Sequence, residues 1–393
     1  MGDHAMLKWA TAGAAARSFA GRSGGAEHYI SVEAPAQLGI REQIEAVRQR
    51  YEAALTAIGV APETAVFRRI FLSDAINQAA LVRESGLLGA PDGSPVAVSI
   101  IQQPPLPCAK IALLAYHVES PGAMTKTRVS HRHMLVEKSG TRHLWSTRVC
   151  VGASDPQSEE VEQTREIFED LIATLGRYGA TLRENCVRTW FYLRDVDVFY
   201  PGMVKSRRDL FIRHGLTTET HYIASTGIEG SCAHQFDRVA MDAYSILDLQ
   251  PRQMSFLNDF DRLCPTKDYY VTFERGTRIA YADRCHHFIS GTASIDNRGE
   301  IVHVGDVMKQ LDRTLENIEA LLRSGGAGLA DMSHMIVYLR DRTDFPPIEA
   351  ELRRRFPDLP MIIVQGPVCR PEWLIEIEGV AIAANEEPTL PSF

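Results

Sequence analysis

Tyr338-Leu339-Arg340-Asp341, Tyr192-Leu193-Arg194-Asp195 and Phe71-Leu72-Ser73-Asp74 are three variants of one stretch. Each follows an amphipathic helical pattern by a similar gap. Each precedes a second helix and a strand led by Gly or Pro. Outward from these anchors the chain reads three times as strand, strand, helix, strand, helix, strand. The copy beginning near residue 285 is the clearest, the one from about Arg142 to Leu247 follows it, and a worn copy fills Glu27 to Val118. A threefold repeat in one chain predicts three packed units around a pseudo-threefold axis, with pockets between them. Only units that keep the chemical residues can make a working pocket.

The helical signal is spacing. Ile40, Ile44, Val47, Tyr51 and Leu55 recur at three and four residues, as do Ile167, Leu171, Ile172 and Leu175, and Val307, Leu311, Leu315, Ile318 and Leu322. The strand after each is apolar: 65–72, 187–193 and 335–339. Gly325-Gly326-Ala327-Gly328 reads as a loop. In the third copy, 287–295 is expected to open a hairpin that turns at Asp296-Asn297-Arg298-Gly299. The expected division is a tag remnant and N-terminal extension (1–26), a degenerate repeat (27–141), a second repeat (142–250), a connecting segment (251–284) and a C-terminal domain (285–393). The class is α+β, with mixed sheets and helices on one face.

Bulk properties bound the function. The 393 residues carry a formal charge of −8, with 45% hydrophobic and 23% charged residues. That balance argues against nucleic acid as the main partner. It leaves room for an anionic substrate, because a local arginine pocket can oppose the global sign. No apolar run approaches the roughly 18 residues of a spanning helix, and no signal peptide is read. The seven cysteines show no CxxC spacing, which points to a reducing cytoplasm without a zinc or disulfide framework. Cys285, His286 and His287 are adjacent, so successive side chains face opposite ways and a metal site is not expected.

The densest chemical cluster is Gly366-Pro367-Val368-Cys369-Arg370-Pro371-Glu372-Trp373-Leu374-Ile375-Glu376-Ile377-Glu378. Arg370 follows a turn at the mouth of the last strand, where a guanidinium can fork onto a carboxylate. Glu376 and Glu378 share one side of that strand. A solvated polar face is the simpler reading of the pair; burial would raise a carboxyl pKa and keep a proton for acid catalysis. Aligning the copies sets Asp242 against Glu378 but Ala240 against Glu376. A residue unique to one copy is tied more closely to a site than a shared one, which favours Glu376. In the second copy Tyr200 stands where the third has Phe345, and Arg207 follows about two turns along a helix. Arg208 and Asp209 beside Arg207 suggest a solvated charge. Glu274 beside Arg275 suggests a structural ion pair.

The third copy resembles the YjgF/RidA family of reactive-intermediate deaminases through Ile289-Ser290-Gly291-Thr292-Ala293, Val337-Tyr338-Leu339-Arg340-Asp341 and Cys369-Arg370 followed by Glu376-Ile377-Glu378. That family forms homotrimers with sites between subunits, so three copies in one chain imply an intramolecular pseudo-trimer, compatible with a monomer. With Tyr200 to Arg207 and Phe273-Glu274-Arg275-Gly276-Thr277, the whole pattern resembles the chorismatase family. This resemblance implies loss of pyruvate from chorismate, with Glu376 as catalytic acid/base and Tyr200, Arg207, Arg275 and Arg370 as substrate-binding residues. Gly291 and Cys369 resemble the 3-hydroxybenzoate-forming branch and would shape the product. Protonating the terminal enol carbon gives an oxocarbenium ion. Water then attacks, or the neighbouring ring hydroxyl displaces the pyruvyl group through an arene-oxide-like species that rearomatises. No metal or organic cofactor is required. The alternatives are hydrolysis to a dihydrodiol, a mixed 3-/4-hydroxybenzoate synthase, a RidA-type imine deaminase holding its substrate through Arg370, and a non-catalytic binding protein.

Overall fold

The computed structural model describes residues 6–232, 234–266 and 271–393. Residues 1–5 of the expected tag remnant, and Lys267-Asp268-Tyr269-Tyr270 of the expected connecting segment, lie outside them. Among the described residues, three sheets of six strands share one topology. The first holds β1 (Met6–Thr11), β2 (Ala14–Ala20), β3 (Ala26–Glu33), β4 (Ala65–Leu72), β5 (Ala97–Gln102) and β6 (Ile111–Glu119), in the order β1-β2-β3-β6-β4-β5. The second holds β7 (Thr125–Arg128), β8 (His133–Lys138), β9 (Thr141–Val149), β10 (Cys186–Leu193), β11 (Ala224–Glu229) and β12 (Val239–Ile246). The third holds β13 (Met254–Phe256), β14 (Gly276–Ala280), β15 (Arg284–Ala293), β16 (Met332–Leu339), β17 (Met361–Gln365) and β18 (Ile375–Ala384). Both repeat the first order strand for strand.

The sheets divide the chain differently from the sequence reading. Strands β1 and β2 lie within the segment set aside as an extension, yet Ala14, Ala15, Ala16 and Phe19 are buried. The second sheet begins at Thr125, ahead of Arg142, and the third takes β13 and β14 from the stretch read as a connector. The expected hairpin after β15 is also corrected. Its antiparallel partner is the preceding β14, and the turn at Asp296–Gly299 closes only an isolated bridge between Ile295 and Ile301.

Each repeat lays two main helices on its sheet: α1 (Ile40–Ile58) and α2 (Ala75–Arg83); α3 (Glu160–Gly176) and α5 (Val196–Arg213), with the single turn α4 (Leu182–Asn185) between; α6 (Val307–Ser324) and α7 (Phe345–Arg355). The spacing of Val47, Tyr51 and Leu55, and of Leu311, Leu315, Ile318 and Leu322, becomes the buried face of α1 and α6. Strands β4–β5, β10–β11 and β16–β17 pair in parallel across a crossover helix. Alternation in β6 shows the layering. Ile111, Leu113 and Ala115 pack toward the helices, while Ala112, Leu114 and Tyr116 face a core shared by all three sheets.

Charge sits at that shared centre. Arg69 from β4 meets Asp242 from β12 at 3.1 Å and Glu378 from β18 at 3.5 Å. Arg188 from β10 meets Glu378 at 2.6 Å. The Tyr192 and Tyr338 hydroxyls donate to Asp242 and Glu378 at 3.1 and 2.9 Å. Two arginines and two carboxylates, all buried, compensate one another, as groups removed from water must. The guanidiniums of Arg69 and Arg188 both lie over the Trp190 ring, at 4.7 and 4.8 Å.

Candidate active site

The cleft between the second and third repeats gathers the residues expected from the sequence. Its lining includes Tyr200, Arg207, Arg275, Gly291, Cys369, Arg370 and Glu376 around an empty volume of about 790 Å³ open toward solvent. The walls are stitched together by backbone. Glu229 N–H donates to Pro367 O, Glu274 N–H to Ile223 O, and Ser225 N–H to the Ser290 hydroxyl at 2.9 Å. The cleft is therefore fixed by interrepeat hydrogen bonds rather than by loops alone.

Glu376 enters from β18, one residue into the strand, opposite Tyr338. It is 5% exposed, and no described residue hydrogen-bonds its carboxyl. Burial pushes its pKa up to about 8; the negative charge of Glu378 adds to the rise, and Arg188 and Arg275 oppose it. The group is therefore a neutral acid at neutral pH. The solvated strand face that the sequence allowed is overturned for both glutamates, since Glu378 is 1% exposed. The copies explain the uniqueness of Glu376: Ala112 and Ala240 occupy its place beside Phe71 and Tyr192.

Gly291 faces this carboxyl across a bulge in β15. A Cβ there would fall 2.0 Å from Glu376 Oε1, so any side chain would displace the acid. The Gly291 amide donates to the Thr226 hydroxyl at 2.9 Å. The same hydroxyl accepts from Arg188 at 2.6 Å and donates to Glu378. Thr226 thus ties the central charges to the cleft wall. The sequence reading missed it, along with Gly227, where a Cβ would meet the Tyr200 ring at 2.9 Å. Nothing in a Ser-Thr-Gly run on an edge strand signals that role.

The cationic side is built by α5 and the loops. Arg207 is 2% exposed, which corrects its reading as a solvated charge. Its Nε donates to Thr272 Oγ1 at 3.0 Å, its guanidinium stands over the Phe191 ring, and Tyr200 hydrogen-bonds it. Among the described residues its Nη2 is buried without a hydrogen-bond partner, which leaves a donor to spare. Arg275 is buried, with Nη2 donating to Cys264 O at 3.3 Å, while the neighbouring Glu274 carboxylate accepts from the Tyr222 amide at 2.8 Å. Arg370 lies over the Trp373 ring and donates to Gly299 O at 3.3 Å. Burial and the nearby Glu376 push the Cys369 thiol up to about 12, so it stays protonated; Tyr200 hydrogen-bonds it. His286 and His287 diverge, to Glu27 at 2.9 Å and to Gly325 O at 2.9 Å.

Comparison with known proteins follows the same division of the chain. Residues 280–383 match the Endoribonuclease L-PSP family model. Over 114 residues the chain is 34% identical to the 3-aminoacrylate deaminase RutC of Acinetobacter baylyi, covering 28% of this chain and 85% of that protein. The chain belongs to the RutC family. Beyond this RutC-like third, it is 27% identical over 257 residues to 3-hydroxybenzoate synthase of Streptomyces hygroscopicus, covering 59% of this chain and 73% of the relative. A crystal structure of chorismatase superposes with a TM-score of 0.59 at 18% identity, covering 81% of this chain and 93% of the other. At that identity the superposition speaks for the fold: a RutC-like unit repeated three times.

Proposed function

We propose that the protein removes pyruvate from chorismate and releases 3-hydroxybenzoate. The observation that carries this reading is the buried Glu376 carboxyl, its pKa raised by burial, facing a cleft lined by three arginines. The relative named 3-hydroxybenzoate synthase supports the product.

Chorismate has two carboxylates, an enol ether and a ring hydroxyl. Arg207 on one wall and Arg370 on the other hold the two carboxylates, and Tyr200 and Arg275 orient the ring between them. Glu376 delivers its proton to the terminal methylene carbon of the enol ether. Carbon accepts protons slowly, so a fixed acid is worth roughly 10²–10⁴-fold. The adjacent ring hydroxyl attacks the carbon bearing the ether oxygen. That C–O bond breaks, its electrons stay with the departing oxygen, and pyruvate leaves as the ketone. The hydroxyl proton passes to the Glu376 carboxylate and returns to the oxide oxygen as the ring oxide opens; a ring proton is then lost, and aromaticity returns. The Glu376 carboxylate takes the released proton and is reset. No atom is gained from water, so substrate and products balance as an isomeric sum. The neutral Cys369 thiol and Gly291 keep water from the ring face where it would yield a dihydrodiol.

Incubation with chorismate tests the proposal by chromatography of aromatic products and enzymatic assay of pyruvate. Equimolar pyruvate and 3-hydroxybenzoate are expected. A dihydrodiol in place of the aromatic acid would remove the role of Cys369 and Gly291. Absence of turnover, with imine deamination instead, would favour the activity named for RutC of Acinetobacter baylyi.

A further inference from the structure

A second cavity, with an empty volume of about 620 Å³, lies at the junction of the first and second repeats. It is the topological counterpart of the candidate active site. The pairing of Val149 with Met241, set against that of Thr292 with Ile377, places Arg148 where the third repeat has Gly291. The pairing of Ile70 with Ile100, set against Phe191 with Gly227, places Ile100 at Gly227. Ala240 replaces Glu376. The acid is gone, yet arginines have accumulated: Arg83, Arg132 and Arg148 line this space beside His131 and His234, and among the described lining residues there is no carboxylate.

The charges are poorly compensated. Among the described residues, Arg132 has Asp170 at 3.5 Å, whereas the Arg83 and Arg148 guanidiniums have no ion pair. Arg148 Nε is buried and unpartnered. The Arg148 amide is occupied by Asp242 at 2.9 Å, which fixes the backbone and leaves the side chain to the cavity. Cys150, His234 and Asp237 bring three ligating atoms within 4.8 Å, but two uncompensated guanidiniums nearby oppose a cation. Concave shape, clustered arginines and a missing acid describe a place that binds an anion without transforming it.

We propose that this cavity is a non-catalytic site for a small-molecule oxyanion, carboxylate or phosphate, held by Arg83, Arg132 and Arg148. The assignment stands on the cavity's own residues, whatever Glu376 acts on. Isothermal titration of the full chain at low ionic strength with inorganic phosphate and, separately, with malonate tests it. The two arms identify which oxyanion class the site takes. Saturable binding of at least one is expected, weakened roughly tenfold or more in both Arg83→Ala and Arg148→Gly and retained in Arg370→Ala. Arg83 is exposed at a helix end, so its replacement leaves folding intact. Glycine suits the left-handed φ of +51° at residue 148. Unchanged affinity in both variants, loss in Arg370→Ala, or no saturable binding of either anion would overturn the site.

Discussion

Glu376 carries opposite consequences for chemistry and for stability. The folded protein holds its proton up to about pH 8, while the unfolded chain releases it near the ordinary value of 4.5. The folded state therefore binds more protons between these limits, and this group's contribution to stability falls as pH rises through that window. Gln is neutral throughout. Glu376→Gln is expected to match the parent's Tm near pH 4 and to exceed it increasingly toward pH 8, while turnover of chorismate drops by roughly 10²-fold or more. Calorimetry across pH and a pyruvate assay read the two effects; a Tm difference that shrinks toward pH 8 contradicts the buried neutral acid. Gly291→Ala tests the same contact from the other side. Its methyl must push Glu376 Oε1 aside, so kcat should fall at least tenfold with the fold retained, as circular dichroism would show.

At the scale of elements, the two outer strands at one side of each sheet are the surprise. Arg17 on β2 is 6% exposed and donates to Met332 O at 2.6 Å, a link from the first repeat to the third. Arg17→Met keeps the aliphatic packing but removes that donor and leaves the carbonyl buried. A loss of about 1–3 kcal/mol is expected, read as a lower urea midpoint; an unchanged midpoint would make β1 and β2 mere decoration. The sequence displayed α1, α3 and α6 plainly because each hides one helical stripe under polar turns. It concealed β1, β2, β7, β8, β13 and β14, which lie at one side of their sheets, where register rather than composition defines a strand. The same limit applied to the site. Glu376 stood out because the second copy has alanine, Ala240, in its place. Arg207 did not, since Arg208 and Asp209 beside it mimic a wet helix face, and its burial depends on tertiary partners, the Phe191 ring and the Thr272 hydroxyl. Thr226 gave no sign, because its partners come from distant strands.

The whole molecule sets the acidity of the site. Glu378 is held by arginines from the first and second repeats, Arg69 at 3.5 Å and Arg188 at 2.6 Å, and its charge is the second largest cause of the raised Glu376 pKa. Three sheets must assemble before that field exists, so the proton on Glu376 is a property of the assembled triplet and not of its own strand. Glu378→Gln deletes the like charge and leaves Arg69 and Arg188 less compensated. Both changes favour the Glu376 carboxylate, so its pKa must fall. In the parent, kcat/KM for chorismate should decline as pH rises through about 8, where the acid is lost. In Glu378→Gln the decline should move down by roughly one pH unit or more. Rates at pH 6 should suffer less than rates at pH 8, which separates an electrostatic effect from general damage. An alkaline limb that stays in place in the variant would mean that burial alone protonates Glu376, and that the central arginines and carboxylates serve assembly without reaching the cleft.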